Sequence, residues 1–388
     1  MNIRYTIYEM IIIGAVLLAG CSQDDVTVEV TPQEPVAISF ACSQDEKDET
    51  NHSTRAGMTG AMNSEDLYYS GFGVFASQTA STPDLMYNQE VKFTFVGDLE
   101  DPLKGYWSYQ PVKYWPADME HSDLRVSAYA PYVEPASLEG LPADATGIVG
   151  ISANNESPYI TYRRCEKPTD VVDLLWYIGE PRAIPTPTGG VRGTLDMKLQ
   201  HALARLQITV ALDESVVLAE GTKVLIEEIS LQGSMTRTAK LKLNEETTDG
   251  DSHYPVWEAL ETPDVENRTI TISNADNDDE SYGIIDSQIR YIDGLPYAWQ
   301  PAGLTTTAQN ALSTGDRQTY IYLIPQNSAL ELVVKVKYHK MTSAGGDETK
   351  IKTTDEVPTP IEVGTTVGDA KKLRGSTQYS LDIKLSGI

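Results

Sequence analysis

Cysteine and histidine are scarce in this chain, with 3 and 5 residues respectively among 388. That leaves little material for a transition-metal site, which draws its donors chiefly from those two residue types. It also excludes the disulfide framework that holds small secreted domains together. Positive charge is short too: 30 Lys and Arg stand against 56 Asp and Glu, for a net charge of −26. A duplex or an anionic lipid surface would repel such a molecule, so nucleic acid is excluded as a partner. Catalytic signatures are missing as well. The chain has no Gly-x-Ser-x-Gly, no His-Glu-x-x-His and no phosphate-cradling glycine loop. Its carboxylates are abundant but form no recognisable pair for glycoside chemistry. The expectation is a protein that is not an enzyme and holds no cofactor or metal.

What the chain does have is 21 Tyr against only 5 Phe, many Thr, Val and Ile, and 28 Gly and 21 Pro set between short apolar runs. This mixture suits half-buried pleated surfaces and predicts an all-β, antiparallel architecture of sandwiches or barrels. Val36 to Cys42 alternates cleanly and predicts a strand with Val36, Ile38, Phe40 and Cys42 on one face. Residues 43 to 66 are polar and aperiodic and read as a mobile exposed loop. Further strands are expected at Gly71 to Ala76, Tyr106 to Tyr109, Leu124 to Tyr132, Tyr159 to Tyr162 and Val171 to Ile178. Between Leu195 and Leu212 the apolar phase shifts, which predicts one long strand with a bulge near Ala202. Turn-forming residues near 213 to 221 mark a boundary between residues 36-215 and 216-388. The second half continues in strands at Val224 to Leu231, Ala239 to Leu243, Thr269 to Ser273, Tyr320 to Ile324, Leu330 to Tyr338 and Tyr379 to Leu385.

The N-terminus carries an address. Met10 to Leu17 is an apolar run too short for a membrane span, which needs about 20 residues, yet it suits the core of a signal peptide. Leu18-Ala19-Gly20-Cys21 follows, where small residues let a lipoprotein signal peptidase grip extended backbone and cut before a lipidated cysteine. Residues 1-20 are therefore expected to be a lipoprotein signal peptide, Cys21 the lipidation site and 21-35 a tether. An ordinary signal peptide with a chance cysteine is the alternative. Several acyl chains on one residue anchor far better than one, at about 0.8 kcal/mol per buried CH₂. The acidic run Ser22-Gln23-Asp24-Asp25 resembles the signal that sends lipoproteins of Bacteroidetes-type bacteria to the outer face of the outer membrane. A solvated spacer would look the same.

An ordered series of short motifs then resembles a known family. Ile38-Ser39-Phe40, Thr54-Arg55-Ala56, Gly71 to Ala76, Met86-Tyr87-Asn88-Gln89 and Tyr114-Trp115-Pro116 come first. Ser127 to Tyr132, Asp173-Leu174-Leu175-Trp176 and His201 to Leu206 complete it. In this order they resemble the bacterial fimbrillins, the Mfa-like or type V pilins of Bacteroidetes. The second half is similar only in style. The resemblance implies two tandem transthyretin-like Greek-key β-sandwich domains and a lipoprotein precursor matured by cleavage after Arg55, before Ala56. It also implies polymerisation by donor-strand exchange into a surface fimbria that contributes to adhesion. Partners would then be other pilin subunits and a host or bacterial receptor.

The physics of exchange fits these residues. A sandwich lacking a strand exposes unpaired backbone and an apolar groove, ready to accept another strand. Val36, Ile38 and Phe40 mark the strand to be displaced, within a cleavable segment 36-66. Its departure would remove Cys42, so a disulfide between Cys42 and Cys165 would obstruct the process. Tyr379, Leu381, Ile383 and Leu385 mark a candidate donor strand, whose burial is worth roughly 6–12 kcal/mol at about 1.5–3 per side chain. The same strand could simply complete its own second domain, and Arg55 could be an ordinary loop arginine. A second class of function is glycan capture by a surface lipoprotein. There Trp257 and Trp299 offer possible stacking faces, whereas Trp115 and Trp176 read as core. Asp276-Asn277-Asp278-Asp279-Glu280 lacks the glycine and distal glutamate of a calcium loop and reads as a solvated turn.

Overall fold

The computed structural model describes residues 34–44, 62–78, 85–97, 104–116, 124–153, 157–165, 171–180, 183–185, 190–212, 215, 217, 222–250, 252–273, 291–292, 297–298, 321–326, 330–344, 347–353, 359–363 and 373–385. Residues Val36–Ile388 form one unit. In chain order its elements are β1 (Ser39–Gln44), α1 (Ser64–Ser70), β2 (Phe72–Gln78), β3 (Met86–Phe95), β4 (Gly105–Ser108), β5 (Leu124–Ala130) and β6 (Gly147–Ile151). Then come β7 (Tyr159–Arg163), β8 (Leu175–Ile178), β9 (Thr194–His201), β10 (Ala204–Leu212), β11 (Thr222–Asp249), β12 (Ser252–Ser273), β13 (Tyr291–Ile292) and β14 (Tyr297–Ala298). The last are β15 (Ile321–Leu323), β16 (Leu330–Ala344), β17 (Asp347–Thr353), β18 (Thr359–Val363) and β19 (Gln378–Leu385). The expected all-β class is what forms.

Three sheets result. The first has seven strands in the order β1-β9-β8-β5-β2-β3-β4. The second, of four strands, runs β14-β10-β15, with β19 also on β10. The third, of eight, runs β17-β16-β11-β7-β6, with β12 and β13 on β11 and β18 on β16. The central strands of the first sheet are buried on both faces, which explains their nearly unbroken apolar runs. From β2, Phe72, Val74 and Ala76 enter one core while Phe75 enters another. Likewise β5 sends Leu124, Val126, Ala128 and Ala130 to the first core and Tyr129 to the second.

Pairing crosses the turn-rich stretch 213–221 in both directions. β10 pairs with β15 and β19 from the second half, and β11 pairs with β7 from the first. The second core accordingly mixes Ile160, Tyr162 and Leu174 with Ala239, Leu241, Leu243, Tyr322 and Ile324.

Two local expectations are corrected. The stretch Leu195 to Leu212 is not one bulged strand: β9 and β10 belong to different sheets and the chain turns at Ala202 and Leu203. The Ala202 N–H is donated to the Leu174 carbonyl at 2.7 Å. A corner and a bulge shift the apolar phase identically, so the pattern did not separate them. The second correction is α1, which begins inside the segment read as loop. Asn63 accepts the Asp66 N–H at 2.9 Å while Asp66 accepts the Asn63 N–H at 3.1 Å, a reciprocal cap. Leu67 buries completely. Gly71 ends the helix at φ +64°, and a Cβ there would meet the Val91 carbonyl at 2.6 Å.

Candidate functional site

β1 lies in a slot with a different wall on each side. On one side it runs parallel to β9, from Ser39 opposite Thr194 to Gln44 opposite Leu199. The Ser39 and Thr194 hydroxyls meet at 2.8 Å, and the Ser39 N–H is donated to the Gly193 carbonyl at 3.2 Å. The other side is built from the segment after β4. Ile38 donates its N–H to the Lys113 carbonyl at 2.9 Å, and Trp115 donates its N–H to the Val36 carbonyl at 2.9 Å. From the Ile38 carbonyl onward, side chains take over. The Tyr109 hydroxyl donates to the Ile38 carbonyl at 2.8 Å, and Trp107 Nε1 donates to the Cys42 carbonyl at 3.3 Å. Burial pushes the Tyr109 hydroxyl above its ordinary value.

The floor of the slot is apolar. Ile38, Phe40 and Cys42 are buried, with Phe40 edge-on to Phe72 at 5.9 Å and near Tyr109 at 5.4 Å. Burial of Ile38 and Phe40 contributes about 3–6 kcal/mol. Gly193, at φ +90°, sits at the slot's mouth. A Cβ there would fall 2.4 Å from the Ala37 carbonyl and 3.0 Å from Trp115 Nε1. The Cys42 thiol is raised by burial and then by the nearby Asp196 carboxylate.

β19 occupies the corresponding place on the next strand. It runs parallel to β10, from Gln378 opposite Arg205 to Leu385 opposite Leu212. β15 and β14 take the other edge of β10. All other ladders among the described residues are antiparallel. β1 and β19 are thus both edge strands lying parallel to consecutive parts of one segment, Thr194 to Leu212. The approach to β19 is fixed firmly. Arg205 donates its N–H to the Thr377 carbonyl at 2.9 Å, and Ser376 donates its N–H to the Leu203 carbonyl at 3.2 Å. Arg374 donates its N–H to the buried Tyr379 hydroxyl at 2.8 Å, and its guanidinium meets Asp249 at 2.8 Å.

Between the two ends lies a buried polar knot. Asp173 accepts the Met62 N–H at 3.1 Å, the Leu174 N–H at 2.9 Å and His201 Nδ1 at 2.5 Å. Both side chains are almost wholly buried. The Ser376 hydroxyl approaches His201 as well, but at its main-chain carbonyl rather than its imidazole. Ser376, His201 and Asp173 therefore do not form a nucleophilic triad. They join the base of α1, the β9–β10 corner and the approach to β19. His201 hydrogen-bonds at this corner. The role of Asp173 was not foreseen, although a lone acid inside Val171 to Ile178 is the signal that marks it.

Of the other residues singled out, Cys21, Arg55, Ala56 and Trp299 lie outside the described residues, as does the acidic turn at 276 to 280. Trp257 is partly buried, packs edge-on against Tyr162 at 6.4 Å and donates Nε1 to the Ala202 carbonyl at 3.2 Å. Its polar atom is already used inside the protein. Trp115 and Trp176 are core, as expected. Cys42 and Cys165 are free thiols that pack against different cores.

This arrangement defines an all-β protein whose first and last strands are carried on one shared segment. Solved structures that the chain is similar to include fimbrial and candidate cell adhesion proteins of Bacteroides. A fimbrial protein from Bacteroides vulgatus ATCC 8482 is 18% identical and has a TM-score of 0.51, with 90% of this chain and 95% of that one covered. The chain has that protein's fold. A candidate cell adhesion protein from Bacteroides uniformis ATCC 8492 is 15% identical with a TM-score of 0.39, over 91% of this chain and 95% of that one. No family model and no curated protein matches the chain.

Proposed function

We propose that this chain is a non-enzymatic structural subunit of a cell-surface fimbria, with adhesion as the role of the finished fibre. On this reading it is exported as a lipoprotein precursor, anchored through Cys21 in the outer membrane. It is built of two tandem transthyretin-like Greek-key sandwiches, residues 36-215 and 216-388, bridged by β11. Cleavage after Arg55 separates β1 from the rest of the chain. A strand from a second subunit then fills the vacated slot.

The observation that carries the proposal is the matched placement of β1 and β19, each a parallel edge strand on one part of Thr194 to Leu212. Before cleavage β1 is held by an intramolecular link, whose effective concentration reaches the millimolar range for short connections. After cleavage that advantage disappears and β1 competes on its contacts alone. An empty slot would expose backbone groups and the apolar surface under Ile38 and Phe40, so it favours capture of another strand.

Treatment of the purified precursor with an arginine-specific protease tests this reading. Ladders of multimers are expected on a non-boiled gel, and a cleaved product that stays monomeric would overturn it. Removal of residues 379–388 is expected to abolish the ladders. Ladders that persist unchanged would eliminate β19 as the donor.

A further inference from the structure

We infer that Trp107 and Tyr109 form a main-chain reading site that holds the strand entering the β1 slot by two of its carbonyls, whatever that strand's side chains. This rests on the exchange proposed above, with β19 of a second copy as the occupant. Trp107 donates to the Cys42 carbonyl in β1 and Tyr109 to the Ile38 carbonyl just before it, and those carbonyls lie four residues apart on the core-facing positions. Neither bond involves a side chain of β1, so neither depends on which strand supplies the carbonyl. Each donor is also held independently of β1. Tyr109 accepts the Lys113 N–H at 3.2 Å, which orients its hydroxyl. The Trp107 ring is wedged against Phe72 at 4.8 Å and Phe93 at 5.0 Å. The site is therefore built before a strand arrives.

The spacing and the retained root of β19 together place the strand. An incoming strand must present carbonyls four residues apart on its apolar face. Tyr379, Leu381, Ile383 and Leu385 offer two such pairs, 379 with 383 and 381 with 385. Tyr379 is retained by its own subunit, because its hydroxyl accepts the Arg374 N–H and the preceding residues are bonded to Leu203 and Arg205. The pair that fits is Leu381 and Leu385, in the places of Ile38 and Cys42, with Ile383 in the place of Phe40. A slip by one residue would turn the carbonyls away from both donors. A slip by two in one direction would call on Tyr379, which its own subunit keeps, and in the other would put Gly387, without a side chain, in the place of Cys42.

The test uses the precursor cleaved after Arg55 and synthetic peptides of residues 378–388, with displacement of the N-terminal fragment as the readout. Reduction of the amide carbonyl to methylene at Leu381 or at Leu385 should weaken displacement about three- to tenfold each. The same change at Ile383, whose counterpart Phe40 receives neither donor, should have a smaller effect. In precursor carrying Y109F the Leu381 modification should cost nothing further, and in W107F the same should hold for Leu385. Three equal effects in wild-type protein would overturn this inference while leaving strand exchange intact. Failure of the unmodified peptide to displace the fragment would instead refute the donor assignment itself. The peptide series on wild-type protein decides the matter even if a variant does not fold.

Discussion

The first and last described strands are held in opposite ways. β1 is gripped along its length, by the β9 ladder on one side and by Trp115, Tyr109 and Trp107 on the other, with Ile38, Phe40 and Cys42 beneath. β19 is gripped at its root. Thr377, Ser376 and the Tyr379 hydroxyl are bonded to fixed points, after which the strand pairs along β10. On the proposed reading, a strand gripped along its length would leave only as a whole, once its covalent link is cut. A strand gripped at its root can change partners along its length while remaining attached. The contrast separates a plug from a tether, although both follow the same segment.

The most forceful way to break this contrast is Phe40→Ala. Loss of the largest side chain under β1 should cost about 3–5 kcal/mol in urea unfolding of the precursor. It should also speed loss of the N-terminal fragment after cleavage, with no change in protection of the amides of residues 381–385 in hydrogen exchange. Asp173→Ala strikes the support that both ends share. It strands the buried Met62 and Leu174 N–H groups and the His201 imidazole, and should cost roughly 3–4 kcal/mol. Protection should fall both in α1 and around Ser376, so a loss confined to one of them would show that the knot does not join the ends.

Gly193→Ala sharpens the comparison at one end. A Cβ 2.4 Å from the Ala37 carbonyl, on backbone at φ +90°, should destabilise β1 by about 1–2 kcal/mol and leave β19 unaffected. Maleimide labelling of Cys42 in a precursor carrying C21S reports it. Burial and Asp196 hold that thiol protonated and slow to react while β1 is seated, so faster labelling is expected in the variant. Tyr379→Phe is the mildest probe. The Arg374 N–H loses its acceptor at a cost of about 0.5–1.5 kcal/mol. Faster exchange of the Arg374 amide, with Cys42 labelling unchanged, is the expected result.

Much of this framework was legible because period-2 alternation reports burial directly. Val36 to Cys42 announced β1 and its inward face, and Tyr379 to Leu385 announced β19. What alternation does not report is the partner. The parallel register of Ser39 on Thr194 joins residues 155 apart, and no local signal encodes it. The corner at Ala202 looked like a bulge, because each inserts the same half-period. α1 was hidden because its seven residues bury only Leu67, and its evidence is a cap, Asn63 with Asp66, set in a polar run. Trp107 and Tyr109 stood out as aromatic residues of a strand. Their use as donors to another strand's backbone depends on the sheet bringing its first and last members together around β1.

One property follows from the parallel ladder between β1 and β9. A strand that takes the place of β1 must enter with the same chain direction, since the reverse orientation would misplace the carbonyls met by Trp115, Tyr109 and Trp107. Because the slot and the tail are different parts of each subunit, successive units in the proposed fibre would also all point one way. On the proposed exchange such a filament would have unlike ends, one offering an open groove and the other an unspent tail, so elongation and termination would be distinct events that need different chemistry.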